Sequence, residues 1–108
     1  FEIEQVLNNY PGIQESAVVG IRIEGAGGED EVKAYIVTEG GASIDNVALL
    51  DYCVEQIPRF AVPRFIEAVQ ALAKTATNKI QKEPLRQAGV TAQTWDRESV
   101  GYKIARRV

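Results

Sequence analysis

At 108 residues, with 45% hydrophobic and 25% charged side chains, the chain has ordinary globular composition and enough length for one compact core. It carries no histidine and a single cysteine, which excludes an internal disulfide, Ser-His or Cys-His nucleophile pairs and the common His-containing zinc sites. The net charge of −3 conceals an asymmetry: residues 1–73 hold four Lys/Arg against twelve Asp/Glu, residues 74–108 eight against three, so a basic segment suited to an anionic ligand hangs on an acidic body.

Ile3, Val6, Leu7 and Tyr10 recur on one helical face, and Pro11-Gly12 ends that helix in a turn. The opening Phe1-Glu2-Ile3-Glu4 has no methionine and already lies inside the helical pattern, which predicts a fragment of something longer. Ser16 to Ile23 and Val32 to Thr38 are rich in β-branched residues and read as paired strands, joined by an acidic, glycine-rich connection from Glu24 to Glu31. Their almost unbroken apolar character predicts that helices cover both faces of the sheet. The glycines of that connection are followed by carboxylates and lack a Gly-Lys-Ser/Thr ending, so it reads as a hairpin loop and not as a phosphate loop.

Ser43 is the expected N-cap of a second helix whose buried face is Val47, Leu50, Val54 and Ile57 and which Pro58 terminates. Cys53 falls within it and reads as a buried structural thiol. Arg64 to Val69 is a third strand, entered from the short loop Phe60-Ala61-Val62-Pro63. Ala71 to Lys79 is small, polar and aperiodic, hence an exposed loop. Pro84 to Ala88 forms a short helix capped by Gly89, and beyond it, through Trp95 to the closing basic residues, no period is visible. The fold class is therefore α+β: a small sheet of about three strands plus a hairpin, flanked by helices. No stretch approaches the roughly 20 apolar residues of a membrane span, and no leader pattern is visible, so the expected location is cytoplasmic.

Lys74-Thr75-Ala76-Thr77-Asn78-Lys79-Ile80-Gln81-Lys82 offers three ammonium groups and two hydroxyls. Asn78 tolerates the left-handed conformation and could turn the chain so that Lys79 points outward. Such a loop suits phosphate or carboxylate, and a flexible lysine stem suits a partner's cleft. On composition alone, plain surface lysines are the better account.

The order strand, Leu72-x-Lys74-Thr75-x-x-x-Lys79-Ile80, short helix with Leu85-Arg86 resembles the closing motif of the acyl-CoA synthetase, luciferase and peptide-synthetase adenylation superfamily. There the familiar form is Leu-Pro-Lys-Thr-x-x-Gly-Lys-Ile/Val followed by Leu-Arg; this chain departs at Ala73 and Ala76, where proline is frequent, and at Asn78, where glycine is usual. Losing the prolines leaves the loop less preorganised. Glu2-Ile3-Glu4, Tyr10-Pro11-Gly12-Ile13, Ala17-Val18-Val19-Gly20, Glu31 to Val37 and Val62 to Ile66 look like successive landmarks of the same family, in order. Phe60 to Arg64 and Thr94 to Glu98 bring it near the crotonobetaine/carnitine-CoA ligase group.

What the resemblance implies is the C-terminal mobile domain of an ATP-dependent acyl-CoA ligase. A carboxylate attacks ATP to give acyl-adenylate and pyrophosphate, and CoA then displaces AMP. Lys79 would serve the first step; after a rotation of the domain, Phe60 and Arg64 would meet the CoA nucleotide in the second. The implied partners are the large N-terminal domain of the same enzyme, which would hold ATP and magnesium (Mg2+), the carboxylate substrate and CoA. No metal site and no nucleic acid are expected on this chain. Alone it would make no acyl-adenylate. The competing expectations are an adenylation domain that loads a carrier-protein thiol, which an adjoining carrier domain would reveal, and a stand-alone binding or regulatory module using the basic tail.

Overall fold

Pro11 and Gly12 stop helix α1 (Ile3–Asn8) and turn the chain into strand β1 (Ile13–Arg22). Gly12 sits at φ 94°, and a Cβ there would come within 3.0 Å of the Ile44 side chain, so both backbone angle and space call for glycine. The computed structural model describes residues 2–23 and 30–103; most of the Glu24–Glu31 connection and the last basic residues lie outside that range. Strand β2 (Asp30–Thr38) pairs antiparallel with β1, β3 (Phe65–Ala68) pairs parallel with β2, and β4 (Trp95–Asp96) pairs antiparallel with β3, in the order β1-β2-β3-β4. The parallel step from β2 to β3 passes through helix α2 (Asn46–Gln56), as a crossover must.

Both faces of the sheet are covered. Ile13, Ala34, Ile36 and Ile66 join Leu7 of α1 and Leu49, Leu50 and Cys53 of α2 in one core cluster. Ala17, Val19, Ile21, Tyr35 and Val37 form the other, with Leu72 buried and Leu85 of helix α3 (Lys82–Ala88) packed against it. A register shift between Ile13 and Glu15 explains why the odd residues of β1 change face: one extra residue in a period-2 strand inverts every side chain beyond it. After the bulge, Ser16 points to the α1 side, its hydroxyl 2.8 Å from Asn8 Oδ1. Each fully buried Leu or Ile contributes about 1.5–3 kcal/mol through burial.

Three expectations about the helices move. The cap of α2 is Asp45, not Ser43: its carboxylate accepts from the backbone N–H groups of Val47 at 3.0 Å and Ala48 at 3.2 Å. Starting there places Ile44 just ahead of the cap and Leu49 in the fourth helical position, and both join the same core, a hydrophobic staple. The buried face consequently runs Leu49, Leu50, Cys53 and Ile57, while Val47 is 40% exposed and Val54 half-buried. Burial pushes the Cys53 thiol up to about 11, as an inert structural cysteine requires. Helix α3 begins at Lys82, two residues ahead of the expected Pro84, which still lies in the first turn where its missing N–H costs nothing.

Behind β4 stands a group that the sequence does not advertise. The Lys33 side chain is fully buried and spends its three donors on Glu67 Oε1 at 2.7 Å, the Gly89 carbonyl at 2.7 Å and Thr94 Oγ1 at 2.9 Å. It also lies 4.3 Å from the Tyr35 ring centre, and the Tyr35 hydroxyl donates to the Leu85 carbonyl at 2.8 Å. Burial alone would raise the Glu67 carboxyl, but hydrogen bonds from Lys33, Thr91 and Thr94 outweigh it and hold the group below its ordinary range. This network docks α3 and the approach to β4 onto the sheet.

Candidate functional site

Lys79 lies on a small hairpin between β3 and α3. Lys74 and Ile80 form an antiparallel bridge, Thr75 N donates to the Lys79 carbonyl at 2.7 Å, and Asn78 N donates to the Thr75 carbonyl at 2.9 Å. Asn78 takes φ 67°, the one positive φ of a non-glycine residue among those described. A β-turn followed by a left-handed residue is the three-residue hairpin with a terminal bulge, and asparagine pays little for that angle. The Thr75 hydroxyl accepts from Lys79 N at 3.2 Å and lies 3.0 Å from the Thr77 hydroxyl. Hydrogen bonds thus supply the order that the absent prolines do not. The hairpin is a defined turn, and exposed as expected apart from Leu72, which is buried and anchors it.

The three lysines of the segment differ in their surroundings. Lys74 Nζ sits 3.0 Å from Glu15 Oε1, and Lys82 Nζ sits 2.7 Å from Glu4 Oε2. Lys79 is exposed, and among the described residues its ammonium makes no ion pair or hydrogen bond. An unneutralised, outward-pointing cation on an ordered turn can meet phosphate or carboxylate on another body.

Phe60 stands on a short 3-10 turn, Arg59–Ala61, and is 77% exposed, so it is no core aromatic. Arg64 is held inward. Its Nε and Nη2 reach the two Asp96 oxygens at 3.1 and 3.2 Å, and Glu31 and Glu98 stand at 3.5 Å. The Asp96 hydrogen bond raises the guanidinium further above its already high range. For Asp96, burial pushes the carboxyl up, but hydrogen bonds from Arg64 and from Glu98 N outweigh it and leave it below its usual range. Arg97 donates to the carbonyls of Val62 at 3.1 Å and Pro63 at 3.2 Å, fixing the segment between Phe60 and Arg64.

The two candidate sites are apart. Arg64 N donates to the Val32 carbonyl, at one end of β2, whereas Glu15, which holds the Lys79 hairpin through Lys74, pairs with Val37 five residues farther along. At about 3.3 Å per residue that is roughly 16 Å along the strand, with β1 and β3 on opposite sides of β2. A separate cleft of about 640 Å³ opens beside the ends of β2 and β3, between Thr38, Ser43, Ile66, Gln93 and Trp95; Lys79, Phe60 and Arg64 do not line it. No signal in the sequence pointed to it, since its walls come from four separate segments. Among the described residues no group of three or more acidic or cysteine side chains is placed to hold a metal ion. No described helix is long and apolar enough to cross a membrane.

Residues 2–79 match the AMP-binding enzyme C-terminal domain. The chain is 41% identical over 86 residues to the mitochondrial medium-chain acyl-CoA ligase of Danio rerio, which covers 80% of this chain and 14% of that protein. It is 31% identical over 85 residues to the crotonobetaine/carnitine–CoA ligase of Salmonella paratyphi B, covering 79% and 16% respectively. That group is thus among the relatives, without standing out from them. Apo MatB from Rhodopseudomonas palustris shares the backbone course with a TM-score of 0.74 at 33% identity, over 81% of this chain and 17% of that one. The chain spans about one sixth of the length of these proteins. With a match that runs from residue 2 to the exposed lysine itself, and a shared course through the sheet, the chain belongs to the AMP-binding enzyme C-terminal domain family.

Proposed function

We propose that the chain is the mobile domain of an ATP-dependent acyl-CoA ligase and that Lys79 is its adenylation lysine. A carboxylate oxygen attacks the α-phosphorus of ATP; the P–O bond to pyrophosphate breaks, and acyl-adenylate forms. The Lys79 ammonium bridges the acyl carboxylate and the α-phosphate region, offsetting the charge that builds as two anionic centres approach. The CoA thiol, losing its proton, then attacks the acyl carbon and AMP leaves.

The observation that carries the reading is the state of Lys79: of the three lysines in its segment, it is the one presented outward without a carboxylate. Its partner ATP and the remaining walls of the site would come from the large N-terminal domain, in keeping with relatives roughly six times as long.

Phe60 and Arg64 serve the second step on another face, Phe60 stacking on the adenine of CoA. Asp96 orients the Arg64 fork, while the longer contacts at 3.5 Å to Glu31 and Glu98 are the ones a CoA phosphate would replace. The roughly 16 Å along β2 between the two sites is what a domain that turns between half-reactions would use.

The test is ATP–pyrophosphate exchange by the full-length protein with a panel of carboxylates, alongside CoA transfer from preformed adenylate. Lys79→Ala is expected to lower exchange by about 10²- to 10³-fold and to leave transfer intact. Unchanged exchange would reduce Lys79 to a surface charge.

A further inference from the structure

Each flanking lysine is held by an acidic residue of the domain's first two elements. Glu15 lies near the start of β1 and Glu4 near the start of α1, so the two ion pairs clamp the hairpin before and after Lys79 to the first two elements of the domain. Glu4 is itself fixed: the same Oε2 that meets Lys82 accepts the backbone N–H of Val18 at 2.8 Å. That N–H belongs to the edge strand β1, so Glu4 covers an otherwise open sheet edge and couples α1, β1 and the start of α3 at one atom.

We propose that Glu4 and Glu15 are positioning residues for adenylation, a role that rests on the Lys79 reading above. They do two things. By pairing Lys74 and Lys82 they leave Lys79 as the unneutralised cation of the segment, and by bracing the hairpin on both sides they set where its ammonium arrives.

Partly exposed ion pairs at a domain surface contribute little to unfolding stability, whereas displacing a reacting group by about 1 Å can cost about 10²-fold in rate. A positioning role therefore predicts a large kinetic effect with a small thermodynamic one. The electrostatic sign helps to separate the causes. Removing two carboxylates makes the surface more positive, which favours ATP, so a loss of rate cannot come from weaker attraction of the anion.

The experiment uses the full-length protein with Glu4→Gln and Glu15→Gln combined. Glutamine keeps an oxygen for the Val18 N–H and removes the charge. ATP–pyrophosphate exchange is expected to fall by about 10- to 100-fold, with kcat affected more than the KM for ATP, unchanged CoA transfer from preformed adenylate and an unchanged melting temperature. Exchanging the charges, Glu15→Lys with Lys74→Glu, should restore the Glu15 share of the loss. Unchanged exchange in the Gln variant, while Lys79→Ala abolishes it, would overturn the proposal and leave the Lys79 reading standing. Exchange and transfer falling together with a lower melting temperature would also overturn it, as a plain structural role. If Lys79→Ala itself leaves exchange intact, the reading beneath the proposal fails, and the proposal with it.

Discussion

Lys33 and Lys79 are the same side chain in opposite settings. Lys33 lies under the sheet with every donor used, and its charge was taken out of water only because Glu67, Thr94 and a carbonyl replace that water. Lys79 stands on a turn with its backbone hydrogen-bonded and its ammonium left to solvent. One charge has been spent on holding the C-terminal elements in place; the other is kept available. The same contrast holds for neighbouring cations: Arg64, Lys74 and Lys82 each have a carboxylate, and within its own segment the pairing pattern marks Lys79 out.

The comparison breaks first at Lys33. Lys33→Met should strand the Glu67 carboxylate and cost about 3–5 kcal/mol of unfolding free energy in urea titrations, whereas Lys79→Ala should stay within about 0.5 kcal/mol. Equal costs would mean that Lys79 is structural too. Lys33→Met combined with Glu67→Leu should recover much of the loss, because apolar replacement of a whole buried pair is often neutral.

A smaller effect is expected at the turn. Asn78→Val forces a β-branched residue into the left-handed region and should cost about 1–2 kcal/mol, with exchange falling further than stability alone explains. Asn78→Gly should be tolerated in both assays. If the valine variant matches the parent in unfolding and exchange, the hairpin geometry carries no weight.

Smallest is the acid limb. Glu67 and Asp96 are both held below their ordinary values of 4.5 and 3.8. A depressed carboxylate contributes stability that is fully present above its unfolded pKa and is lost as pH falls through the folded one. Unfolding free energy should therefore be level between about pH 5 and pH 8 and decline progressively below about 4.5. Glu67→Gln should flatten part of that decline, which pH-dependent urea titration would reveal.

The contrast also explains what could be read in advance. The Asn78 angle and the outward placement of Lys79 were legible because both are local and follow from neighbours in sequence. The paired strands and the Pro11-Gly12 turn were legible for the same reason. Lys33 was not, since its partners Glu67, Gly89 and Thr94 lie far along the chain and an isolated lysine in VKAYIVT looks like any strand residue. Strand β4 has two residues, too few for a period, and it was not legible in the sequence. In α2, Ser43 and Asp45 are both good caps. The choice between them falls to tertiary packing, because the Asp45 start carries both Ile44 and Leu49 into the core. Arg64 was singled out through the family resemblance, and the residue that occupies it, Asp96, belongs to the strand without a period.

The family match closes at Lys79, but the Lys33 ammonium takes two of its three acceptors from Gly89 and Thr94. Transplanting the segment up to that lysine into another protein would carry over a buried cation and leave most of its solvation behind. The smallest portable unit of this domain is therefore set by an electrostatic debt incurred in β2 and discharged beyond α3, not by the end of the recognisable motif.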